Sequence, residues 1–230
     1  MIKIQLAGIT IGIENQYNFR SRIWDWRYRS KPDFVVRVSP EELEREDRGR
    51  GMAPEYLEFV CAYRHIAEQL PDYDAFVFHG AAVAMDGRAY LFTAPSGTGK
   101  TTHATLWKEH FGWPVWYLNG DKPILRRRPD GSFLAFGTPW RGKEGWGVNA
   151  SLPVQSICLL HRGEENRIVP AEPEESVRFL LRQIYLPQEE AHMKKLLALV
   201  DECCRTVPTW SMQCTISEEA AALAYEAMKP

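Results

Sequence analysis

Apolar positions along this 230-residue chain change their spacing several times, and each change predicts an element. In residues 1 to about 40 they tend to alternate with polar ones, the period of half-buried strands. Met1-Ile-Lys-Ile-Gln-Leu-Ala7 reads as one strand and Phe34-Val-Val-Arg-Val38 as the clearest. Trp24, Trp26 and Tyr28 alternate with charged residues and predict another. Residues 37–50 are dense in charge, with Gly49 and the adjoining Gly51 at their end, which predicts a solvated connector. From 54 to 70 the step lengthens to three and four, through Leu57, Val60, Cys61, Arg64, Ala67 and Leu70. That is a helix, with Pro54 in the first turn, where its missing N–H costs nothing.

The remainder predicts strands at 75–79, 81–85 and 88–93, the last two joined by Asp86-Gly87, a strong hairpin signal. Ala104, Trp107 and Phe111 then fall at helical spacing, and Gly112 with Pro114 stops that helix. A strand at 115–118 precedes a second hairpin, 122–128 with 132–136, turning at Asp130-Gly131. Residues 137–147 hold four glycines in eleven positions and predict a mobile loop. Strands at 155–161 and 210–215 and helices at 174–185, 189–203 and 217–228 complete the pattern, with Ser217 beginning the last helix. No repeat or linker interrupts it. The expectation is one α/β domain over 1–230, with a β-rich extension plus helix in 1–74 and a mixed-sheet core in 75–230.

Composition narrows the classes. With 45% hydrophobic and 25% charged residues and a net charge of −2, nothing argues for nucleic acid or an acidic membrane surface. No apolar run approaches the ~18 residues of a membrane span, and the N-terminus does not read as a signal peptide. Five cysteines, an odd number with no C-x-x-C pair, predict reduced thiols, no structural zinc and a cytoplasmic protein. The vicinal Cys203-Cys204 reads as packing, and Arg126-Arg-Arg128 as a solvated hairpin edge.

The candidate chemistry centres on Ala94-Pro-Ser-Gly-Thr-Gly-Lys-Thr101. It fits the P-loop (Walker A) pattern with Ala in place of the leading Gly. Such a loop between a strand and a helix wraps a phosphate in backbone N–H groups. Ser96, Gly97, Thr98, Gly99, Lys100, Thr101 and Thr102 are the expected nucleotide-binding residues, with Lys100 on the outer phosphates and Thr101 on Mg²⁺. Asp121 follows the 115–118 strand and is the carboxylate expected to ligate Mg²⁺ or to accept a hydroxyl proton. His79 reads either as a hydrogen-bonded turn residue or as an imidazole facing the phosphates. Arg141 and Lys143 read either as solvated tips or as cations closing over the phosphates. Trp140 and Trp146 beside them are better read as packing or loop anchors than as a surface for a base.

Taken together, His79-Gly80, the hairpin, the 94–102 segment, Asn119-Gly-Asp-Lys-Pro123 and Gly137-Thr-Pro-Trp-Arg-Gly-Lys143 resemble the HPr kinase and ATP-type phosphoenolpyruvate carboxykinase superfamily. The resemblance is nearest to its small bacterial HPr-kinase-like branch and covers roughly residues 75 to 230. It implies a mixed-sheet P-loop core, ATP with Mg²⁺, and phosphoryl transfer to a hydroxyl, often a serine of a peptide or small protein. Lys100 would hold the β- and γ-phosphates, Thr101 the metal, and His79 would lie near the transferred group. Asp121 would match one of a paired Asp-Asp motif whose first position is Gly120 here. HPr kinases assemble into oligomers, so a homo-oligomer is a further expectation. A small-molecule hydroxyl kinase and a non-catalytic nucleotide-binding regulator are the alternatives.

Overall fold

The computed structural model describes residues 1–24 and 30–230. Trp26 and Tyr28 therefore lie outside the described residues, and Trp24 is not in a strand. Strands β1 (Ile2–Leu6) and β2 (Ile9–Glu14) form a hairpin, and β3 (Phe34–Arg37) joins β2 in parallel. Ala7 and Gly8 both have positive φ, which matches the turn to the twist of the two strands. Helices α1 (Pro40–Asp47) and α2 (Pro54–Gln69) follow.

Helix α1 replaces the connector expected over 37–50. Its signal is a capping box: the Ser39 hydroxyl accepts from the Glu42 N–H, and the Glu42 carboxylate accepts from the Ser39 N–H. Charge density concealed that start, because Leu43 alone in the helix is buried.

The second, larger sheet contains β4 (Ala75–Val77), β5 (Ala81–Met85), β6 (Arg88–Thr93), β7 (Trp116–Asn119), β8 (Ile124–Arg127), β9 (Phe133–Phe136), β10 (Ser151–Arg162), β11 (Arg167–Pro170) and β12 (Thr209–Cys214). Its main path runs β4-β8-β9-β10-β6-β5-β7. Twelve-residue β10 serves two neighbours along one side: its first residues pair antiparallel with β9, its later ones parallel with β12. On its other side it pairs parallel with β6. The expected antiparallel hairpin β5–β6 is present, with Asp86 and Gly87 at positive φ. The sheet is therefore mixed and the fold α/β. The short strand β11 carried no clear pattern in the sequence and exists by pairing with β12.

Helices α3 (Lys100–Phe111) and α6 (Glu218–Met228) cover one face of this sheet. Helices α4 (Pro173–Leu181) and α5 (Glu190–Thr206) cover the other. Helix α4 ends before the expected 185; the Gln183 carbonyl accepts the His79 N–H at 2.7 Å instead of continuing the helix. A third core packs Ile2, Ile4, Ile11 and Ile13 with Leu57, Ile66, Ala75, Val77, Ile124 and Trp140, so the first strands share their apolar interior with the larger sheet.

The arginine run is not a solvated edge. Arg126 Nη1 donates to the Ala7 carbonyl at 2.6 Å, and Arg127 pairs with Glu202 at 2.8 Å and Asp74 at 3.0 Å. Only Arg128 stays local, 3.7 Å from Asp130. All five cysteines are free thiols, with Cys203 packed in the core. Among the described residues no helix is long and apolar enough to cross a membrane.

Candidate active site

One edge of the large sheet gathers the chemistry-bearing residues. Strands β6, β10 and β12 are parallel and end there; β7, antiparallel to β5, ends there too, and β5 begins there. Along that edge the order is Asp121 after β7, His79 before β5, the 94–101 loop after β6, then Arg162 at the end of β10 and Cys214 at the end of β12. Open α/β sheets bind ligands at the carboxyl ends of their strands, for the geometric reason that the connecting loops diverge there.

Strand β6 is buried on both faces from Ala89 to Thr93, so the loop that follows starts from a fixed point. Gly97 and Gly99 hold φ of 79° and 123°, values that a side chain would strain. Lys100 opens α3, and its ammonium donates to the Ala94 carbonyl at 2.9 Å, folding back over the loop. Burial lowers its pKa; the Asp121 carboxylate pulls the other way and the Lys122 charge adds to the lowering. Arg162 braces the loop from the neighbouring strand, donating to the Gly97 carbonyl at 2.5 Å and to the Thr98 carbonyl at 3.4 Å. Sequence reading passed over Arg162, because its role depends on β10 lying beside β6.

Asp121 is positioned by Asn119, which is fully buried at the end of β7. The Asn119 Oδ1 accepts the N–H groups of Asp121 at 2.9 Å and Lys122 at 2.7 Å, and its amide donates to the Thr138 carbonyl. The Asp121 carboxylate sits 3.3 Å from His79 Nε2 and accepts from Lys122 Nζ at 2.9 Å. Burial pushes this carboxyl up, but the bond to His79 and the charge and bond of Lys122 outweigh it and hold it at about 2. The His79 N–H and carbonyl are themselves tied, to Gln183 and to the Thr93 hydroxyl. Structure thus brings His79, Lys100 and Asp121 to one place and adds Lys122 and Asn119, which the sequence did not single out.

The 137–147 segment has no helix or strand but is pinned. Trp140 is buried, stacks on Phe59 at 5.4 Å between centroids, and donates to the Phe59 carbonyl. Trp146 lies flat on Tyr117, with centroids 4.0 Å apart and planes 4° from parallel. Both tryptophans are anchors. Between them Arg141 lies over the Trp24 ring, 5.6 Å from its centroid, and Lys143 projects into solvent with 90% of its side chain exposed. Lys143 lines the same cleft as Asp121 and Arg141.

Gly120 explains itself in this packing. Its N–H donates to the Trp146 carbonyl at 2.9 Å. A methyl added there would lie 3.1 Å from the Arg141 carbonyl oxygen and 3.2 Å from the Trp146 Cβ. The space a side chain would need is filled by the pinned loop. Beyond Asp121 opens a cleft of about 810 Å³ between α2 and residues 139–145, with Tyr56, Tyr63, Lys122 and Arg141 among its walls. Burial, and then the Asp121 charge, raise the Tyr63 phenol, which keeps it a hydrogen-bond donor.

Residues 52–220 match the family described as SynChlorMet cassette protein ScmC. The chain belongs to the ScmC family. No curated protein matches it. Among solved structures, the HPr(Ser) kinase/phosphatase from Coxiella burnetii aligns with 67% of this chain and 99% of its own, at 12% identity and a TM-score of 0.36. The ScmC-family match spans α2 through the first residues of α6, and so includes His79, the 94–101 loop, Asp121 and the 137–147 segment.

Proposed function

We propose that this member of the ScmC family is an ATP- and Mg²⁺-dependent phosphotransferase with a P-loop core of the HPr kinase type. It would transfer the γ-phosphoryl group to a Ser or Thr hydroxyl of a peptide or small protein. One observation carries the reading: the glycine loop after β6 puts Lys100 within electrostatic reach of Asp121, the carboxylate that follows β7 two strands along the same sheet edge. Free N–H groups at the loop and at the start of α3 favour an anion. Ser96 to Thr102 would cradle the phosphates, and Lys100 would leave the Ala94 carbonyl to reach the outer ones.

The donor set suits Mg²⁺ in a particular way. Asp121 offers a carboxylate and Thr101 a hydroxyl, hard oxygen ligands of the kind Mg²⁺ takes beside substrate phosphates. Among the described residues no cluster of three or more His, Cys, Asp or Glu could hold a metal by itself. Bound Mg²⁺ would supply neutralisation of the phosphate charge.

An acid held at about 2 is a weak base at neutral pH. Asp121 would therefore orient the acceptor hydroxyl and help to hold Mg²⁺, with little contribution from proton removal, as phosphoryl transfer permits. His79 and Lys122 fix that carboxylate. The cleft of about 810 Å³ beside it is the entry for the acceptor, with Arg141 at its rim. The five free thiols support a reducing, cytoplasmic setting.

Close packing at Gly120 favours one other reading, a nucleotide-binding regulator that does not transfer phosphate. Incubation with γ-³²P-labelled ATP, Mg²⁺ and extract of the native host separates them. A kinase labels a Ser or Thr of some extract protein or peptide, and Lys100→Ala abolishes the label. Tight ATP binding with no labelled product would establish the regulator.

A further inference from the structure

The cleft beside Asp121 is far more cationic than the chain that holds it. Arg22, Arg64, Lys122, Arg141 and Lys143 line it against one carboxylate, Asp121 itself, in a protein whose net charge is −2. Two of these cations are already matched: Lys122 bonds Asp121, and Arg64 bonds Glu46 of α1. The other three come from two separate segments. Arg22 ends the short turn Arg20–Arg22 and lies over the Tyr56 ring, 5.2 Å from its centroid. Arg141 lies over the Trp24 ring, and Lys143 stands 3.8 Å from Glu144, too far for a hydrogen bond. Among the described residues neither Arg22 nor Arg141 has a carboxylate partner. A guanidinium held over a ring keeps N–H groups for a carboxylate, which it can grip in a bidentate fork. One face of α2 supplies the wall between: Tyr56, Phe59, Val60 and Tyr63 fall at i, i+3, i+4 and i+7, and all reach the cleft. Unmatched arginines beside an aromatic wall are the chemistry that recognises acidic segments.

We propose that this cleft receives an acidic stretch of peptide, whose Asp or Glu side chains pair with Arg22, Arg141 and Lys143 while its backbone lies along the α2 face. On the phosphotransferase reading, on which this rests, that peptide is the acceptor, a Ser or Thr flanked by carboxylates. Exposure sorts the two tasks. Lys143 is 90% exposed and Asp121 27%, so recognition is at the mouth and the hydroxyl goes to the inner end. Asp121 does not repel such a peptide, because His79 and Lys122 hold its two oxygens. A nucleic-acid strand fits less well, since a chain of net charge −2 lacks the broad basic face that a phosphate backbone requires.

Fluorescence polarisation of the full chain with short labelled peptides tests recognition without any catalytic step. Each peptide carries one central Ser between repeats of Glu-Ala, Gln-Ala or Lys-Ala. The Glu peptide should bind at least about tenfold more tightly than the Gln peptide, as two or three exposed ion pairs allow. Salt at about 1 M should remove most of that difference. Arg22→Glu and Lys143→Glu should each weaken the Glu peptide about fivefold and tighten the Lys peptide, a gain that an unfolded variant could not give. With γ-³²P-labelled ATP and Mg²⁺, the Glu peptide should also take label faster than the Gln peptide. Equal affinities for the Glu and Gln peptides, or a Glu affinity indifferent to both reversals, overturn the acidic-peptide site and leave the phosphotransferase reading standing. An oligothymidylate that outcompetes the Glu peptide overturns it in favour of a nucleic-acid strand. Tight, charge-dependent binding of the Glu peptide with no label supports the site and overturns the transfer reading instead.

Discussion

Asp121 keeps its charge against burial because two cation-capable neighbours, His79 and Lys122, hold its two oxygens. Its folded pKa of about 2 lies below the ordinary 3.8, so the ionised form stabilises the fold. The sign follows: that stabilisation is complete above about pH 4 and is lost as pH falls through about 2. A move from 3.8 to about 2 corresponds to about 2 kcal/mol. Asp121→Asn should therefore lower the urea midpoint at pH 7, and its deficit relative to wild type should shrink between pH 4 and pH 2. In labelling assays the same variant should lose transfer by ~10²-fold or more while still binding ATP. Gly120 makes the opposite kind of prediction. An acid placed there collides with the Arg141 carbonyl and Trp146, so Gly120→Asp should cost ~1–3 kcal/mol in urea unfolding. A gain of transfer activity without loss of stability would show that the loop yields freely.

At the scale of elements, the 137–147 segment is held by its tryptophans while presenting Arg141 and Lys143 between them. The Trp146–Tyr117 stack fixes the segment to β7, the strand that leads into Asp121. Trp146→Ala should remove ~1 kcal/mol of stacking and free the segment's second half. Trypsin should then cut after Arg141 or Lys143 several times faster than in wild type, with other sites unchanged, as read by mass spectrometry of early fragments. Helix α1 shows how a short element escapes a hydrophobic pattern: its start is fixed by Ser39 and Glu42, and its packing by Leu43. Counting apolar residues would never find it, whereas the Ser-Pro-Glu-Glu spacing does.

Across the whole molecule, strands β1 to β3 and the turn after β2 are bound into the rest by a buried carboxylate and a shared core. Glu58 on α2 is fully buried and accepts the N–H groups of Gln16 at 2.6 Å and Tyr17 at 2.7 Å. Its removal leaves two donors without their charged partner, and Glu58→Ala should destabilise by ~3 kcal/mol in urea unfolding. The isoleucines of β1 and β2 pack on α2 with Ala75, Val77 and Ile124 of the large sheet. A chain begun at residue 39 should therefore be insoluble rather than a smaller working core. Recovery of a soluble, ATP-binding fragment from that truncation would show the two parts to be separable.

Local rules settled much of this protein in the sequence itself. Periodicity placed α2, α3, α5 and α6, turn chemistry placed the β5–β6 and β8–β9 hairpins, and a glycine loop between strand and helix put Lys100 at a helix start. Each depends on residues within one turn or one hairpin of each other, so a short window contains the cause. Only the tertiary structure decided the rest. Arg126 and Arg127 look solvated until Ala7 and Glu202 arrive from 119 and 75 residues away. Arg162 braces the glycine loop because β10 pairs with β6, and Gly120 is a glycine because a distant loop lies on it. Sequence determined which groups are available for chemistry; long-range pairing of strands decided which of them meet at one edge, since that choice depends on contacts no local window contains.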